Sequence, residues 1–534
     1  MTATEYLALR NGTDVRGVAT EGVKDQPVNL TEEAVENIAR AFCVWLVSHT
    51  GKTTVRVAVG HDSRISSPAL GAAAAKGITS TGHNALVTGL STTPSMFMLL
   101  KDEARMQETP CDGSIMITAS HLPFNRNGMK FFWGKGGLEG ADVKEILTLA
   151  ANYRFTEGLT GEQLNAPYLD EYAASLVEKV RAATGEDTPL AGKKIIVDAG
   201  NGAGGFFADK VLAALGADTE GSQFLEPDGT FPNHIPNPEN KEAMRSVCEA
   251  VKASGADFGI IFDTDVDRAG AVDQNGAEIN RNRLIALISA ILLEEKAGTI
   301  VTDSVTSSGL AQFIEQKGGR HHRYKRGYKN VINEAIRLND EGEYTPLAIE
   351  TSGHAALMEN YFLDDGAYLI TRLLIALAKA AKEGKALCDL IADLQEPKTA
   401  AEARLNFVPG CDFKLLGAQV LKAYKEHAET LPYAALAPDN YEGCRVNYDK
   451  QNGCGWALLR MSLHEPILPI NIESDDEAGG LKIAKEVYAF LKQFPFLDLT
   501  PLQQAIDLER KKLINHLKAH KHALAFLFTG EKNN

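Results

Sequence analysis

Short runs of β-branched and aliphatic residues alternate along this chain with longer stretches in which apolar side chains recur every three or four positions. That alternation predicts layers of strands and helices. Residues 55–59, 85–88 and 114–118 read as strands of a first unit. Residues 194–198 and 258–263 bracket a second, with helices over 210–215 and 242–253. Residues 299–302 and 346–350 belong to a third, closed by a helix over 368–381. After about residue 402 the pattern changes, and 445–447, 456–461 and 467–473 predict strands of a smaller α+β unit. The segment 508–528 is helical and cationic, with apolar Leu513, Leu517, Leu524 and Phe528, and is expected to pack on the last domain or mediate association.

Composition bounds the class. At 534 residues the chain should hold three to five domains. A net charge of -15 argues against a general nucleic-acid or anionic-membrane binder, yet leaves room for an anionic small substrate gripped by a few Arg and Lys. Seven cysteines without framework spacing suggest a reducing cytoplasm. Residues 1–16 carry Glu5, Arg10 and Asp14 and no apolar core segment, so no secretory signal is expected. The most apolar stretch, 284–293, is about half the length needed to span a bilayer and predicts a buried helix.

Candidate chemistry gathers where strands end, the usual place for ligands in open α/β sheets. Ile115-Met116-Ile117 delivers Ser120 in Thr118-Ala119-Ser120-His121-Leu122-Pro123, with Lys130 ten residues on. That serine is a candidate phosphoryl carrier. Far downstream, Asp263-Thr264-Asp265-Val266-Asp267-Arg268 sets three carboxylates at alternate positions, suited to Mg²⁺ and through it to a phosphate on Ser120. Arg268 can then hold phosphate in a bidentate fashion. An EF-hand fails, because its sixth position is Arg268 and its twelfth Gln274. An aspartyl-phosphatase nucleophile at Asp263 is the more serious rival, against which Asp267 and Arg268 stand. Gly200-Asn201-Gly202-Ala203-Gly204-Gly205 satisfies a dinucleotide fingerprint with Glu220 beyond it, but Glu220 follows no apolar strand. A tight strand-to-helix turn is the plainer account.

Further clusters supply a grip for substrate. Gly12-Thr13-Asp14-Val15-Arg16-Gly17 sets Arg16 in a glycine-flanked loop, and Gly60-His61-Asp62-Ser63-Arg64 follows the next strand. Glu350-Thr351-Ser352-Gly353-His354 offers hydroxyl partners and an imidazole. Tyr324-Lys325-Arg326-Gly327 is basic, and Arg460-Met461-Ser462-Leu463-His464-Glu465-Pro466 suits a remote phosphate. Carrier, metal, sugar grip and phosphate grip, one per unit, point to a phosphosugar mutase.

These motifs, in this order, resemble the α-D-phosphohexomutase superfamily of phosphoglucomutases and phosphomannomutases, over nearly the whole length. The resemblance implies an α/β fold of four domains around a central cleft, three with a common mixed α/β sheet topology and a C-terminal α+β domain. Expected boundaries are 1–165, 166–281, 282–400 and 401–534. It implies phosphorylation of Ser120, Mg²⁺ at Asp263, Asp265 and Asp267 with Ser120, sugar contacts from Glu350, Ser352 and His354, and phosphate contacts from Arg460 and Ser462. Arg268, Lys325 and His464 complete the expected substrate contacts. The implied reaction interconverts hexose 1-phosphate and hexose 6-phosphate, of glucose or mannose, through a hexose 1,6-bisphosphate that also serves as activator. For proton transfer Lys130 is favoured, with His121 and His354 as further candidates. Arg16 is assigned to electrostatics, because a guanidinium holds its proton above about pH 12. The expected partner is a phosphosugar only, with no nucleic acid or membrane, and the chain is expected as a monomer or small homo-oligomer.

The chain departs from the family pattern at Leu122, where Asn is usual, and at Leu463, His464 and Thr351. Two other readings follow from the residues: a sugar-phosphate phosphatase and a non-catalytic sugar-phosphate binder.

Overall fold

A computed structural model describes residues 1–155, 158–462 and 465–529, with the side chains of 517 and 519–529 left aside. The chain divides into two compact units, Met1–Ile291 with Pro346–Ala392, and Leu292–Thr345 with Asp393–Asn534.

In the first unit, strands β1 (Arg10–Asn11), β2 (Asp14–Val18), β3 (Arg56–His61), β4 (Asn84–Leu90), β5 (Gly113–Ile117), β6 (Arg126–Trp133), β7 (Gly136–Gly137) and β8 (Gln163–Asn165) build one sheet. Its order is β1-β2-β6-β5-β3-β4-β8, with β7 on β6. The pairs β3/β4, β3/β5 and β4/β8 are parallel, while β2/β6 and β5/β6 are antiparallel. β5 is buried along its whole length, as expected of a strand covered on both faces. Helix Glu32–Thr50 covers part of this sheet with Val35, Ile38, Phe42, Trp45 and Leu46, a stripe of helical period. Thr31 caps its start by accepting the Ala34 N–H, and Gly51 ends it at φ 70°. Gly77 on helix Ser67–Thr79 lets the two helices meet, since a Cβ there would sit 2.3 Å from the Glu36 carbonyl oxygen.

A second sheet in this unit has β9 (Ile195–Asp198) parallel to β10 (Phe258–Phe262), followed by antiparallel β11 (Ala269–Asp273) and β12 (Glu278–Ile279). The six residues between β10 and β11 are the aspartate loop. Its turn uses Val266 at φ 66°, a left-handed conformation unusual for a β-branched residue. The glycine-rich segment after β9 backs that loop: the Ala203 N–H donates to the Thr264 carbonyl at 2.8 Å. A Cβ on Gly202 would lie 2.8 Å from Thr264 Cα. Small residues are therefore required by a neighbouring chain segment, which agrees with a tight turn. The helix expected over 210–215 is a π turn, Phe207–Leu212, running into a 3₁₀ turn, Ala213–Leu215. Antiparallel strands Leu347–Ile349, Ala355–Leu357 and Leu363–Asp364 and helix Gly366–Lys382 complete the unit.

The second unit pairs Thr299–Thr302 with Arg320–Arg323 in parallel and ends in an antiparallel sheet. That sheet runs Thr399–Asn406, Ile467–Ser474, Gly455–Leu459, Cys444–Tyr448 and Ala434–Leu436, and it shares a core with helices Phe413–Thr430 and Gly479–Leu491. The C-terminal helix starts at Thr500, earlier than the expected 508, and docks through buried Leu502 and Ile506 with Leu513 beside them. Leu524 and Phe528 lie outside the described side chains. The apolar stretch 284–293 falls within helix Asn282–Glu295, where Leu284, Ile285, Leu287 and Ile288 are buried. Among the described residues no helix is long and apolar enough to cross a membrane.

The segment after Phe231 is tied to the end of β9 by a buried pair, with His234 Nε2 3.0 Å from both Asp198 oxygens and Nδ1 3.1 Å from the Ile235 carbonyl. Burial pushes the imidazole down, but the bond and charge of Asp198 outweigh it and leave His234 above its ordinary value. A raised histidine stabilises the fold fully below its unfolded value of about 6.5 and loses that contribution as pH rises through the folded value. Urea unfolding of the protein and of His234→Gln should therefore differ most near pH 5.5, with the gap narrowing above neutrality.

Candidate active site

Two strand ends, those of β3 and β5, supply the first half of the site. β5 ends at Ile117, and Ser120 follows at φ 51°, a left-handed backbone that turns its hydroxyl out of the strand direction. Arg64 holds this turn. Its side chain is fully buried, pairs with Asp62 through Nε at 3.1 Å, and donates to the carbonyls of Ser120, Leu122, Pro123 and Arg126. Asp62 also accepts from Thr118 Oγ1 at 2.8 Å and from Ser67 Oγ at 2.6 Å. The carbonyls of an irregular loop thus find a buried partner, as buried backbone groups must. Leu122 takes part through its carbonyl, which any residue type can offer.

The aspartate loop supplies the second half. Ser120 Oγ donates to Asp263 Oδ2 at 3.0 Å, accepts from Arg268 Nη2 at 2.9 Å, and lies 3.2 Å from His121 Nδ1. Arg268 Nη2 also contacts His121 Nδ1, so that nitrogen acts as the acceptor. Arg268 Nε reaches Asp263 Oδ2 at 3.2 Å, and its Nη1 lies 3.7 Å from Glu239. Lys130, on β6, donates to Asp265 Oδ2 at 3.0 Å and to Asp267 Oδ2. Thr93, after β4, donates its hydroxyl to Asp265 Oδ2 at 2.5 Å.

Arg16 lies on β2 rather than in the loop expected for it, because β1 and β6 extend the sheet to Asp14–Val18. It pairs with Asp14 at 2.7 Å, and its charge acts on Asp265 and Asp267. The Glu350 loop abuts the aspartate loop through a backbone bridge between His354 and Arg268. His354 Nδ1 is bonded to Asp364, and Ser352 Oγ donates to Glu350 Oε2 at 3.3 Å.

Burial makes these charges interdependent. Burial, then the charges of Asp267 and Asp265, push the Asp263 carboxyl well above its usual range. Burial alone would raise Asp267 too, but Lys130, His354 and Arg268 hold it well below. Burial opposes the Lys130 ammonium, yet Asp265, Asp267 and Asp14 raise its hold on the proton well above normal. Burial with the nearby Arg268 and Arg16 pushes His121 down to about 2, so it is neutral. Burial lowers His354, while Asp364 and Asp267 raise it to a net value above the ordinary one.

The carboxylates of Asp263, Asp265 and Asp267 bring ligand oxygens within 4.8 Å of one another. Asp265 Oδ1 and Asp267 Oδ1 are buried and accept no hydrogen bond. Hard oxygens, anionic and unsatisfied, fit a divalent cation such as Mg²⁺.

In the second unit Arg460 and Ser462 follow strand Gly455–Leu459, and Ser462 Oγ accepts the Glu465 N–H at 3.2 Å. His464 lies outside the described residues. Lys325 is exposed, whereas its neighbour Arg326 is half-buried, donates its N–H to Glu442 at 3.1 Å and approaches Asp303 at 4.0 Å. Asp14, Thr93 and Asp364 enter the site of the first unit without having been singled out. Thr93 follows a strand as Ser120 does, and that position is the signal that could have found it.

Models of the phosphoglucomutase/phosphomannomutase α/β/α domains I, II and III match residues 9–157, 170–276 and 280–397. A phosphoglucomutase of Neisseria gonorrhoeae is 30% identical over 492 residues, covering 91% of this chain and 96% of that protein. A phosphomannomutase/phosphoglucomutase of Pseudomonas putida is 30% identical over 81% of this chain and 86% of its own. A crystal structure of a phosphoglucomutase/phosphomannomutase family protein from Burkholderia thailandensis superposes with a TM-score of 0.73 at 26% identity. It covers 91% of this chain and 97% of that one.

The pairing of β2 with β6 depends on Gly128, opposite Arg16, where a Cβ would lie 2.2 Å from the Val15 carbonyl and 2.8 Å from that of Thr118. Gly128→Ala should cost about 1–3 kcal/mol in urea unfolding, since neither backbone oxygen can yield.

Proposed function

Because the chain belongs to the phosphoglucomutase/phosphomannomutase family, we propose that it interconverts hexose 1-phosphates and hexose 6-phosphates with Ser120 as the phosphoryl carrier. It is a phosphohexomutase, an isomerase working by phosphoryl transfer within its substrate, and its sheets and helices are those of three α/β/α domains and a C-terminal domain. Glucose and mannose phosphates are the proposed substrates. The observation that carries the reading is the position of Ser120 Oγ, within 3.0 Å of both the Asp263 carboxylate and the Arg268 guanidinium.

In the first transfer the bond between phosphorus and Ser120 Oγ breaks as one forms to the free hydroxyl of the bound hexose phosphate. In the second, the other phosphate of the bisphosphate returns to Ser120, which restores the enzyme. Such transition states are loose, so alignment and charge neutralisation dominate. Arg268 supplies a donor 2.9 Å from the reacting oxygen, and Arg16 and Lys130 add positive charge to the same loop.

Charge counting supports a divalent cation. Around Ser120 five carboxylates, Asp14, Asp263, Asp265, Asp267 and Glu239, face three cations, Arg16, Lys130 and Arg268. A phosphoryl group adds roughly two further negative charges at neutral pH. We assign Asp263, Asp265, Asp267 and the phosphorylated Ser120 as ligands of Mg²⁺, which would neutralise the phosphoryl oxygens. The family is metal-dependent, and hexose 1,6-bisphosphate is the proposed activator.

Lys130, favoured from the sequence as the base, is held as an ammonium by Asp265 and Asp267, and His121 accepts from Arg268. We therefore assign Lys130 to electrostatics and give proton transfer to His354, whose imidazole is oriented by Asp364. Glu350 and Ser352 are assigned to sugar hydroxyls, and Arg460, Ser462 and the basic loop of Lys325 and Arg326 to the substrate phosphate. Seven cysteines, none in a disulfide, fit a cytoplasmic protein.

A coupled assay on glucose 1-phosphate and mannose 1-phosphate, with Mg²⁺ and a trace of hexose 1,6-bisphosphate, tests the reading. Formation of the 6-phosphate should vanish in Ser120→Ala. Release of inorganic phosphate without the 6-phosphate would identify a phosphatase, and ligand binding without turnover a binder. The kcat/KM of the protein should rise with pH along an acid limb set by His354, because a base must be neutral. His354→Gln should lower the rate by about 10²-fold or more and remove that limb, while Lys130→Met should slow the enzyme and keep it. Mg²⁺ at 100 times its Kd should stabilise the protein by about 2.7 kcal/mol in thermal unfolding, a gain that Asp265→Asn should largely abolish.

A further inference from the structure

The second unit contains an anion site that already holds an anion. Glu442 lies in the turn before strand Cys444–Tyr448, beside Gly443 at φ 64°. A Cβ on Gly443 would sit 2.1 Å from the Leu459 carbonyl oxygen, so this turn is pressed against the strand that leads to Arg460. Glu442 Oε2 accepts the Ser304 hydroxyl and the Arg326 backbone N–H, the latter at 3.1 Å. Glu442 Oε1 lies 3.9 Å from Arg460 Nη1. A hydroxyl, a backbone N–H and a guanidinium converging on one carboxylate form the donor set that also binds phosphate.

Neighbouring groups fix the geometry. Arg445, from the same strand, is buried with its guanidinium 3.7 Å from the centre of the Trp456 ring. It donates to the Ser304 and Thr306 carbonyls at 3.0 and 2.9 Å, which orients the Ser304 segment toward Glu442. Arg460 Nε is buried without an acceptor, so the grip retains an unused donor. Burial lowers the hold of Arg460 on its proton, Glu442 restores part of it, and Arg326 opposes. Glu442 thus meets Arg460 through its guanidinium and Arg326 through its backbone N–H, while the Arg326 guanidinium approaches Asp303 at 4.0 Å.

We propose that Glu442 is an internal occupant of the phosphate grip of Arg460, Arg326 and Ser304, which the substrate's phosphoryl group displaces on binding. The inference rests on the assignment of Arg460 to the substrate phosphate and adds a residue that sets its selectivity. A carboxylate carries one charge and two oxygens, whereas a phosphate ester at neutral pH carries nearly two charges and three free oxygens. The exchange favours the dianion and disfavours weaker anions. The carboxylate raises the threshold for occupying the grip.

Calorimetric titration with inorganic phosphate tests this without requiring turnover. Glu442→Gln should tighten phosphate binding roughly fivefold to tenfold, by removing one competing, partly exposed charge. KM for glucose 1-phosphate should fall in the same direction. The gain should disappear in the double variant with Arg460→Ala, and Glu442→Asp, which keeps the charge, should bind phosphate like the parent. Glu442→Ala is the second variant should the amide fail to fold, with thermal unfolding as the check. Unchanged or weaker phosphate binding in folded Glu442→Gln, while Arg460→Ala still weakens it, would overturn the inference and leave the phosphate grip standing. Equal gain in Glu442→Asp would likewise overturn it. If Arg460→Ala alters neither phosphate binding nor KM, the assignment of Arg460 fails and the inference with it.

Discussion

Charges withdrawn from water have to be balanced where they sit, because an unpaired buried ion costs several kcal/mol. Around Ser120 that requirement governs almost every side chain. Asp263 is shared by the serine hydroxyl and Arg268, Asp265 by Lys130 and Thr93, and Asp267 by Lys130 and Arg268. The balance remains slightly negative, and the high proton affinity of Asp263 expresses that excess. A phosphoryl group on Ser120, as proposed, would deepen it, and a divalent cation would reverse it. The proposed carrier and metal would in this sense form one electrostatic unit, each offsetting the charge of the other.

The scaffold serves that unit by presenting loops at strand ends. β3 ends at Asp62 and Arg64, β4 at Thr93, β5 at Ser120 and β10 at Asp263, so side chains distant in sequence converge without long excursions. Arg64 resolves the backbone cost of the serine turn by satisfying four carbonyls from one buried guanidinium. Glycines at 128 and 202 admit backbone where any larger residue would force strands or loops apart.

Much of this could be read from the chain, for physical reasons. Ser120 and the aspartate loop each follow a buried apolar strand and carry residue types whose chemistry is specific at that spacing. The residue types lead one to expect a shared cation, and the structure brings the two motifs together through a direct Ser120–Asp263 hydrogen bond. Arg16 reads as part of a loop in the sequence, because the two-residue strand Arg10–Asn11 and the glycines around it give no alternating pattern. Side-chain period predicts a helix over 210–215 and does not encode the π and 3₁₀ turns that the chain adopts there. Lys325 and Arg326 are equivalent cations in the sequence, and backbone direction decides that Lys325 is exposed while the Arg326 N–H bonds Glu442. Asp364 and Thr93 become visible only once the fold brings them to His354 and Asp265.

The most direct test of the account is the location of covalent phosphate. The protein is incubated with hexose 1,6-bisphosphate and Mg²⁺, digested, and its peptides mapped by mass spectrometry. One phosphoryl group is expected on the peptide containing Ser120, stable to acid and discharged on adding hexose 1-phosphate. An acid-labile phosphate on the peptide containing Asp263, or none on either, would contradict it.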